Sequence, residues 1–387
     1  MSNRREMRFQ SLLATDLDSI IDGSLRRERL AGCVVLISID GDLVYHRAAG
    51  MADVEAGRDL AEDAIFRYAS MTKPIVSAAA LILADIGVLD LEAPITRWLP
   101  DFRPRLSDGT EPDITLRHLL THTSGLDYGF DFTRPAYRKA GVSNGLDQPG
   151  LTLGPAMERL AAMPLLFEPG TNWTYSLATD IVGAVIEGAT AKPLPEVVQE
   201  RICGPLGMTD TAFRVCDAAR LAKPYKDGMP RPLPIEDGDD VPLKMGFIRF
   251  APSRIFDERS YPSGGAGMAG TAGDFLCFLE AIRTGGEPIL SHRAFDWFTR
   301  SALPAGVHIG EQGWGHSLAA PVLLRRELAR THHNNGTLQG GGAYGHDWFV
   351  DPGHKLSVVL CTNTAFEGCE GAFPISIRDA VYHALTA

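Results

Sequence analysis

Three features of this 387-residue chain predict an α+β fold. Strand-forming segments lie near both ends, helix-period segments fill the middle, and the length is more than one simple core accommodates. Together they predict one antiparallel sheet, completed by N- and C-terminal segments and flanked by helices, with a mostly helical insertion beside it. The sheet part is assigned to residues 1–70 and 330–387, and the helical part, with its long loops, to 71–329. A ligand site is expected in the cleft between the two.

The elements follow in order. Leu12, Leu13, Leu17, Ile20 and Ile21 recur at spacings of three and four, which predicts an opening helix. Cys33–Ile39 and Leu43–His46 flank Asp40-Gly41, a hairpin signal. Helices are predicted over 74–86, 116–120, 155–162, 177–189 and 274–283. Tyr344–Val350 and Leu356–Thr362 form a second strand pair around Asp351-Pro352-Gly353, and a helix over 375–385 closes the chain. The Pro-, Asp- and Gly-rich stretch 223–242 reads as a surface excursion. There is no internal repeat.

Composition excludes several function classes. Asp plus Glu (48) outnumber Lys plus Arg (37), so the surface should repel nucleic acid and anionic lipid. The longest apolar run, 75–89, is broken by Asp85 and is too short to span a bilayer. Arg4, Arg5 and Arg8 imitate the start of a secretory leader, but Asp16 and Asp18 interrupt the apolar stretch it needs. The cysteines (33, 203, 216, 277, 361, 369) are scattered, with no pair at metal-binding spacing. A cytoplasmic location with reduced thiols is expected, with no metal, no organic cofactor, and a small molecule as partner.

The chemistry concentrates in three segments. In Ser70-Met71-Thr72-Lys73, a helix starting at Ser70 would set the lysine amine one turn from the serine hydroxyl. A lysine there can take the serine proton, and a helix N-terminus stabilises an oxyanion. An N-cap serine beside a solvated lysine is the plainer alternative. Tyr175, in Trp173-Thr174-Tyr175-Ser176-Leu177, is a phenol that could share a proton with Lys73, or a core tyrosine with a satisfied hydroxyl. Gly340-Gly341-Gly342-Ala343 leads into a strand, where glycines admit a substrate to the backbone, or it is a flexible turn.

Taken together, these segments resemble the serine β-lactamase and penicillin-binding protein superfamily, and within it the family VIII carboxylesterases related to class C β-lactamases. The resemblance extends to Arg117–Leu126 and Tyr344–Pro352. It implies a β-lactamase/transpeptidase-like fold, Ser70 as nucleophile, Lys73 and Tyr175 as the base system, and the backbone N–H groups of Ser70 and Ala343 as oxyanion hole. β-Lactamases of this kind carry Tyr-x-Asn and Lys-Thr-Gly, whereas this chain has Leu177 and Gly340-Gly341-Gly342. Without those polar anchors an anionic lactam loses charge-assisted hydrogen bonds, while an uncharged ester loses nothing. The resemblance therefore implies hydrolysis of short-chain carboxylic esters. A β-lactamase, a D-amino-acid amidase or peptidase, an acyltransferase and a non-catalytic penicillin-binding relative are the alternatives. Gly340 predicts a roomier pocket at that wall, lined elsewhere by Tyr128 and Trp314.

Other motifs read as decoys. Gly141-Val142-Ser143-Asn144-Gly145 matches a nucleophile elbow but lacks the strand before it and the helix after it. Gly265-Ala266-Gly267-Met268-Ala269-Gly270 matches a dinucleotide fingerprint without its strand, and reads as a tight passage beside the cleft. His118 and His122 have no third ligand nearby in sequence, so capping or loop hydrogen bonding is expected of them. His332 and His333 read as surface residues. His346 is not needed for the chemistry. Asp180 either joins a polar network under the site or faces solvent.

Overall fold

A computed structural model describes residues 3–387, with side chains from residue 9 onward, so Arg4, Arg5 and Arg8 lie outside the described side chains. Its centre is an eight-stranded antiparallel sheet. The strands in chain order are β1 (Gly32–Ile39), β2 (Asp42–Asp53), β3 (Arg58–Asp59), β4 (Trp314–His316), β5 (Pro321–Leu323), β6 (Leu338–Gly342), β7 (His346–Asp351) and β8 (Leu356–Thr362). Their spatial order is β4-β5-β6-β7-β8-β1-β2-β3, so the C-terminal hairpin lies against the N-terminal one. Asp40 and Gly41 both have positive φ, as the tight turn between β1 and β2 requires.

Alternation along β1 explains why both faces are covered. Cys33, Val35 and Ile37 point to one side, where α1 (Asn3–Arg26) and the closing helix pack through Leu13, Leu17, Ile377 and Val381. Val34 and Leu36 point to the other, larger core. That core contains α2 (Thr72–Asp85), α3 (Ala178–Thr190) and α4 (Ala272–Arg283). The closing helix, α5, spans Ala372–Thr386. Strands buried on both faces read as continuous apolar runs, which is what Cys33–Ile39 and Leu356–Thr362 are.

The sheet departs from the sequence-based boundaries. β4 and β5, as well as α4, which packs on β8, come from within 71–329. The range assigned to the helical part thus gives two edge strands and one helix to the sheet body. β4 and β5 are three residues each, too short to show alternation. The excursion at 223–242 is tied down at its start, where buried Tyr225 donates its N–H to Asn363 O.

Candidate active site

Ser70 sits in a 3-10 turn, Ala69–Met71, that runs directly into α2. Pro74 lies in the first helical turn, where its missing N–H costs nothing. α2 is buried from Thr72 to Leu81, so its N-terminus is held rigidly inside the body. The residue before Ser70, Ala69, has φ +47°, a left-handed conformation that costs a non-glycine residue roughly 1–2 kcal/mol.

One helical turn on, Lys73 Nζ donates to Ser70 Oγ at 3.0 Å, to Tyr128 OH at 2.9 Å and to Gly265 O at 2.8 Å. These three bonds use all the donors an ammonium has. The side chain is 6% exposed, so its stem and head are both enclosed. Tyr175 OH approaches Ser70 Oγ from the other side at 2.8 Å and is 37% exposed. Lys73 Nζ also lies 4.8 Å from the centre of the Tyr175 ring and 5.2 Å from that of Tyr128. Ser70 Oγ is therefore flanked by an amine and a phenol, either of which can take its proton once deprotonated.

Tyr128 does more than line the pocket. Its ring stacks between Phe130 and Tyr175, with centroids 4.4 and 5.2 Å away. Burial pushes its phenol well above the usual range, so it stays neutral and accepts from Lys73. The loop carrying it has no periodicity, and no sequence signal marked it as a partner of the lysine.

Tyr175 is positioned by His122, whose ring lies 4.9 Å away. His122 Nδ1 accepts from the Ser176 N–H, and its carbonyl accepts from the Thr174 N–H, so one residue clamps both neighbours of Tyr175. Burial holds His122 well below its usual pKa, and it packs as a neutral ring. His118 Nδ1 accepts from Thr115 N–H in a helix cap. Of the capping or loop hydrogen bonding expected of this pair, His118 does the first and His122 the second.

Ala343 follows the last residue of β6. Gly342 packs so closely on the preceding turn that a β-carbon there would lie 2.3 Å from Tyr68 O. Only glycine permits that approach, and it brings the end of β6 against the turn carrying Ser70. The stretch 264–270 behaves likewise. Gly264 and Gly270 abut Thr179 O and Tyr68 OH, and Gly265 lies against the Asp180 carboxylate. It is the tight passage expected, and it supplies a carbonyl to Lys73. Asp180 is buried beneath it, and burial raises its pKa.

Several expectations are corrected. Leu177 is fully buried in the core between α2 and α3 and does not reach the cavity. Trp314 is likewise buried, edge-on to His333, and does not line the cavity. The wall at Gly340 is not roomier, because the indole of its cross-strand partner Trp348 would lie 2.9 Å from a β-carbon there. His333 is not a surface residue. It is buried against Phe349 and bonded to Tyr382 OH, and burial lowers its pKa to about 4. His332 is exposed, and His346 is buried with Nε2 on Arg67 O. Ser143 donates to Asp147 Oδ1 at 2.6 Å and accepts from Gly145 N–H, hydrogen bonds that hold its own loop together, and it does not line the cavity that contains Ser70.

Ser70, Tyr128, Tyr175, Gly340, Gly341, Gly342 and Ala343 line one cavity of about 450 Å³. Phe130, Leu146, Leu243 and Ile248 make one side of it apolar. No group of three metal-ligating side chains occurs among the described residues. No helix there is long and apolar enough to cross a membrane.

This arrangement has close parallels in known proteins. The chain is 48% identical to Esterase EstB of Burkholderia gladioli over 374 residues, covering 96% of this chain and 95% of that protein. It is 31% identical to ML-236A carboxylate methylbutanoyltransferase mlcH of Penicillium citrinum, covering 92% and 89%. Among solved structures it is similar to EstCE1, described as a hydrolase with promiscuous acyltransferase activity. The TM-score is 0.90 at 40% identity, with 96% of this chain and 99% of that one covered. The beta-lactamase family model matches residues 17–379, which spans the sheet, the helical part and every residue of the cluster around Ser70. On that match, the chain belongs to the beta-lactamase family.

Proposed function

We propose that this protein is a serine carboxylesterase acting through an acyl-enzyme on Ser70. The observation that carries the reading is Ser70 Oγ held 3.0 Å from Lys73 Nζ and 2.8 Å from Tyr175 OH at the floor of an open cavity. Ser70 Oγ bonds to the ester carbonyl carbon as its proton passes to the Lys73/Tyr175 pair. The carbonyl oxygen becomes an oxyanion facing the Ser70 and Ala343 N–H groups. The C–O bond to the alcohol then breaks, and the alcohol leaves with a proton from Tyr175. Water repeats the sequence: its oxygen bonds to the acyl carbon, its proton goes to the pair, and the bond to Oγ breaks as Oγ regains a proton.

Ester rather than β-lactam or amide substrates are supported by the strand edge. Gly340 and Gly341 offer no cation and no hydroxyl to a substrate carboxylate. The apolar side of the cavity, from Phe130 to Ile248, suits a short acyl chain. EstB carries the name esterase, which supports the same reading. Acyl transfer to an alcohol is the second reading. It is favoured by a cavity large enough for an acceptor and by the acyltransferase activity in the EstCE1 and mlcH descriptions. A cytoplasmic location is part of the proposal, supported by six unpaired cysteines.

The test is hydrolysis of p-nitrophenyl butyrate by wild type, Ser70→Ala and Ser143→Ala, with product analysis in the presence of added alcohol. Activity should vanish only in Ser70→Ala. Ester formation outrunning acid formation would assign the enzyme to acyl transfer instead.

A further inference from the structure

The cavity does not end at the catalytic cluster. β6 is paired with β5 only at Leu338, so the edge of its glycine segment is open on that side. Gly341 itself is closely packed, since a β-carbon there would sit 2.6 Å from His346 O and 3.5 Å from Cys369 Cβ, so the cavity continues past the strand along its open edge. Beyond it the same cavity is lined by Asp347, Cys369, Glu370 and Arg378.

Asp347 is unusual among these. No side-chain hydrogen bond or ion pair closes on its carboxylate among the described residues, although it borders a cavity next to the active serine. Arg378 pairs with Asp379 at 3.0 Å and remains outside ion-pair distance of Asp347. Glu370 adds a second carboxylate at the outer rim. His333, on the inner side, is held neutral by burial, and the Cys369 thiol is pushed up by burial and stays protonated. Two carboxyls, Asp347 and Glu370, thus share this stretch of the cavity with one guanidinium, Arg378, that is paired to Asp379. Burial raises the Asp347 carboxyl to about 7, opposed by Arg378 and the Trp348 N–H, and a cationic ligand beside it would favour its ionised form.

Position sets the length of the ligand. Asp347 is the cross-strand partner of Gly341, and Ala343 lies two residues further along β6. One strand spacing and two residue rises separate Asp347 from the Ala343 N–H by about 8 Å.

We propose that Asp347 is a specificity-determining residue that selects esters bearing a cationic group about six bonds from the reacting carbonyl. The mechanism does not use Asp347, and the proposal rests on the esterase reading only for its kinetic arm.

The test compares charge at constant shape. On the acyl side, p-nitrophenyl 6-(trimethylammonio)hexanoate is paired with p-nitrophenyl 7,7-dimethyloctanoate. On the alcohol side, 4-(trimethylammonio)butyl acetate is paired with 5,5-dimethylhexyl acetate. In one pair the cationic ester is preferred by about tenfold in kcat/KM, mostly through KM. Whichever pair shows the preference identifies the side of the ester that reaches Asp347. Asp347→Asn brings the ratio to near one while kcat for p-nitrophenyl acetate is unchanged. Ratios near one in wild type for both pairs, or a preference that survives in Asp347→Asn, overturn the proposal. Calorimetric binding of hexyltrimethylammonium tests it without turnover: Kd rises about tenfold in the variant, and equal values contradict it. Loss of activity on p-nitrophenyl acetate in wild type would instead count against the esterase reading.

Discussion

Gly342 presses its α-carbon against the Tyr68 carbonyl, leaving no space for a side chain between the end of β6 and the turn that presents Ser70. This contact sets the distance between the Ser70 and Ala343 N–H groups. In Gly342→Ala a β-carbon 2.3 Å from Tyr68 O must push the two segments apart. The account predicts a fall in kcat of roughly 10²–10³, the usual cost of losing an oxyanion donor, with KM little changed. Steady-state kinetics on p-nitrophenyl butyrate checks it, and an unaltered kcat would separate Ala343 from the oxyanion hole.

The two phenols beside Lys73 should differ in weight. Tyr175→Phe removes the hydroxyl 2.8 Å from Ser70 Oγ and should lower kcat by about 10²–10⁴. Tyr128→Phe removes one of three acceptors from Lys73 but keeps the ring stack, and should cost about tenfold. Comparable losses in both would contradict the division of roles.

Ser143→Ala should leave turnover intact and lower stability by about 1–2 kcal/mol, because it breaks two buried loop hydrogen bonds. Denaturant melts beside an activity assay separate the two effects.

Gly340→Trp should destabilise the fold by about 1–3 kcal/mol, because the Trp348 indole already occupies the space its side chain needs. Thermal melting measures this. A stable variant with a narrowed pocket would show that the indole can move aside.

Acid should unfold the protein through its buried histidines. His316, His333 and His346 are lowered to about 4 by burial, whereas the unfolded chain protonates them near pH 6.5. Between those values the unfolded state binds more protons, so stability falls as pH drops through 6.5 towards 4. Each histidine contributes up to about 3 kcal/mol. Asp347, raised to about 7, and the carboxyls of Asp147, Asp180, Glu187, Asp227 and Asp274, also raised by burial, work in the opposite direction and offset part of this loss. Chemical denaturation at pH 7.5, 6 and 5 should show a steady loss of stability; a flat profile would contradict it.

What could be read from the sequence was what local spacing encodes. Ser70 and Lys73 are one helical turn apart whatever surrounds them, and Asp40-Gly41 between Cys33–Ile39 and Leu43–His46 marks the first hairpin. Tyr175 was found through its motif. The failures involve side-chain direction set by tertiary packing. Leu177 and Trp314 lie near the right segments in sequence but point into the core. His333 looked like a surface residue because it follows His332 in a polar run, yet it folds in against Phe349. Gly340 promised space that Trp348, eight residues later, takes up. Tyr128 and His122 come from loops, where no period reveals a partner.

The most direct measurement is covalent trapping. Wild-type protein treated with a fluorophosphonate, digested and analysed by mass spectrometry should carry one label on Ser70, and Lys73→Met should label far more slowly. A label on Ser143 or any other serine, or undiminished labelling without the lysine amine, would contradict the account.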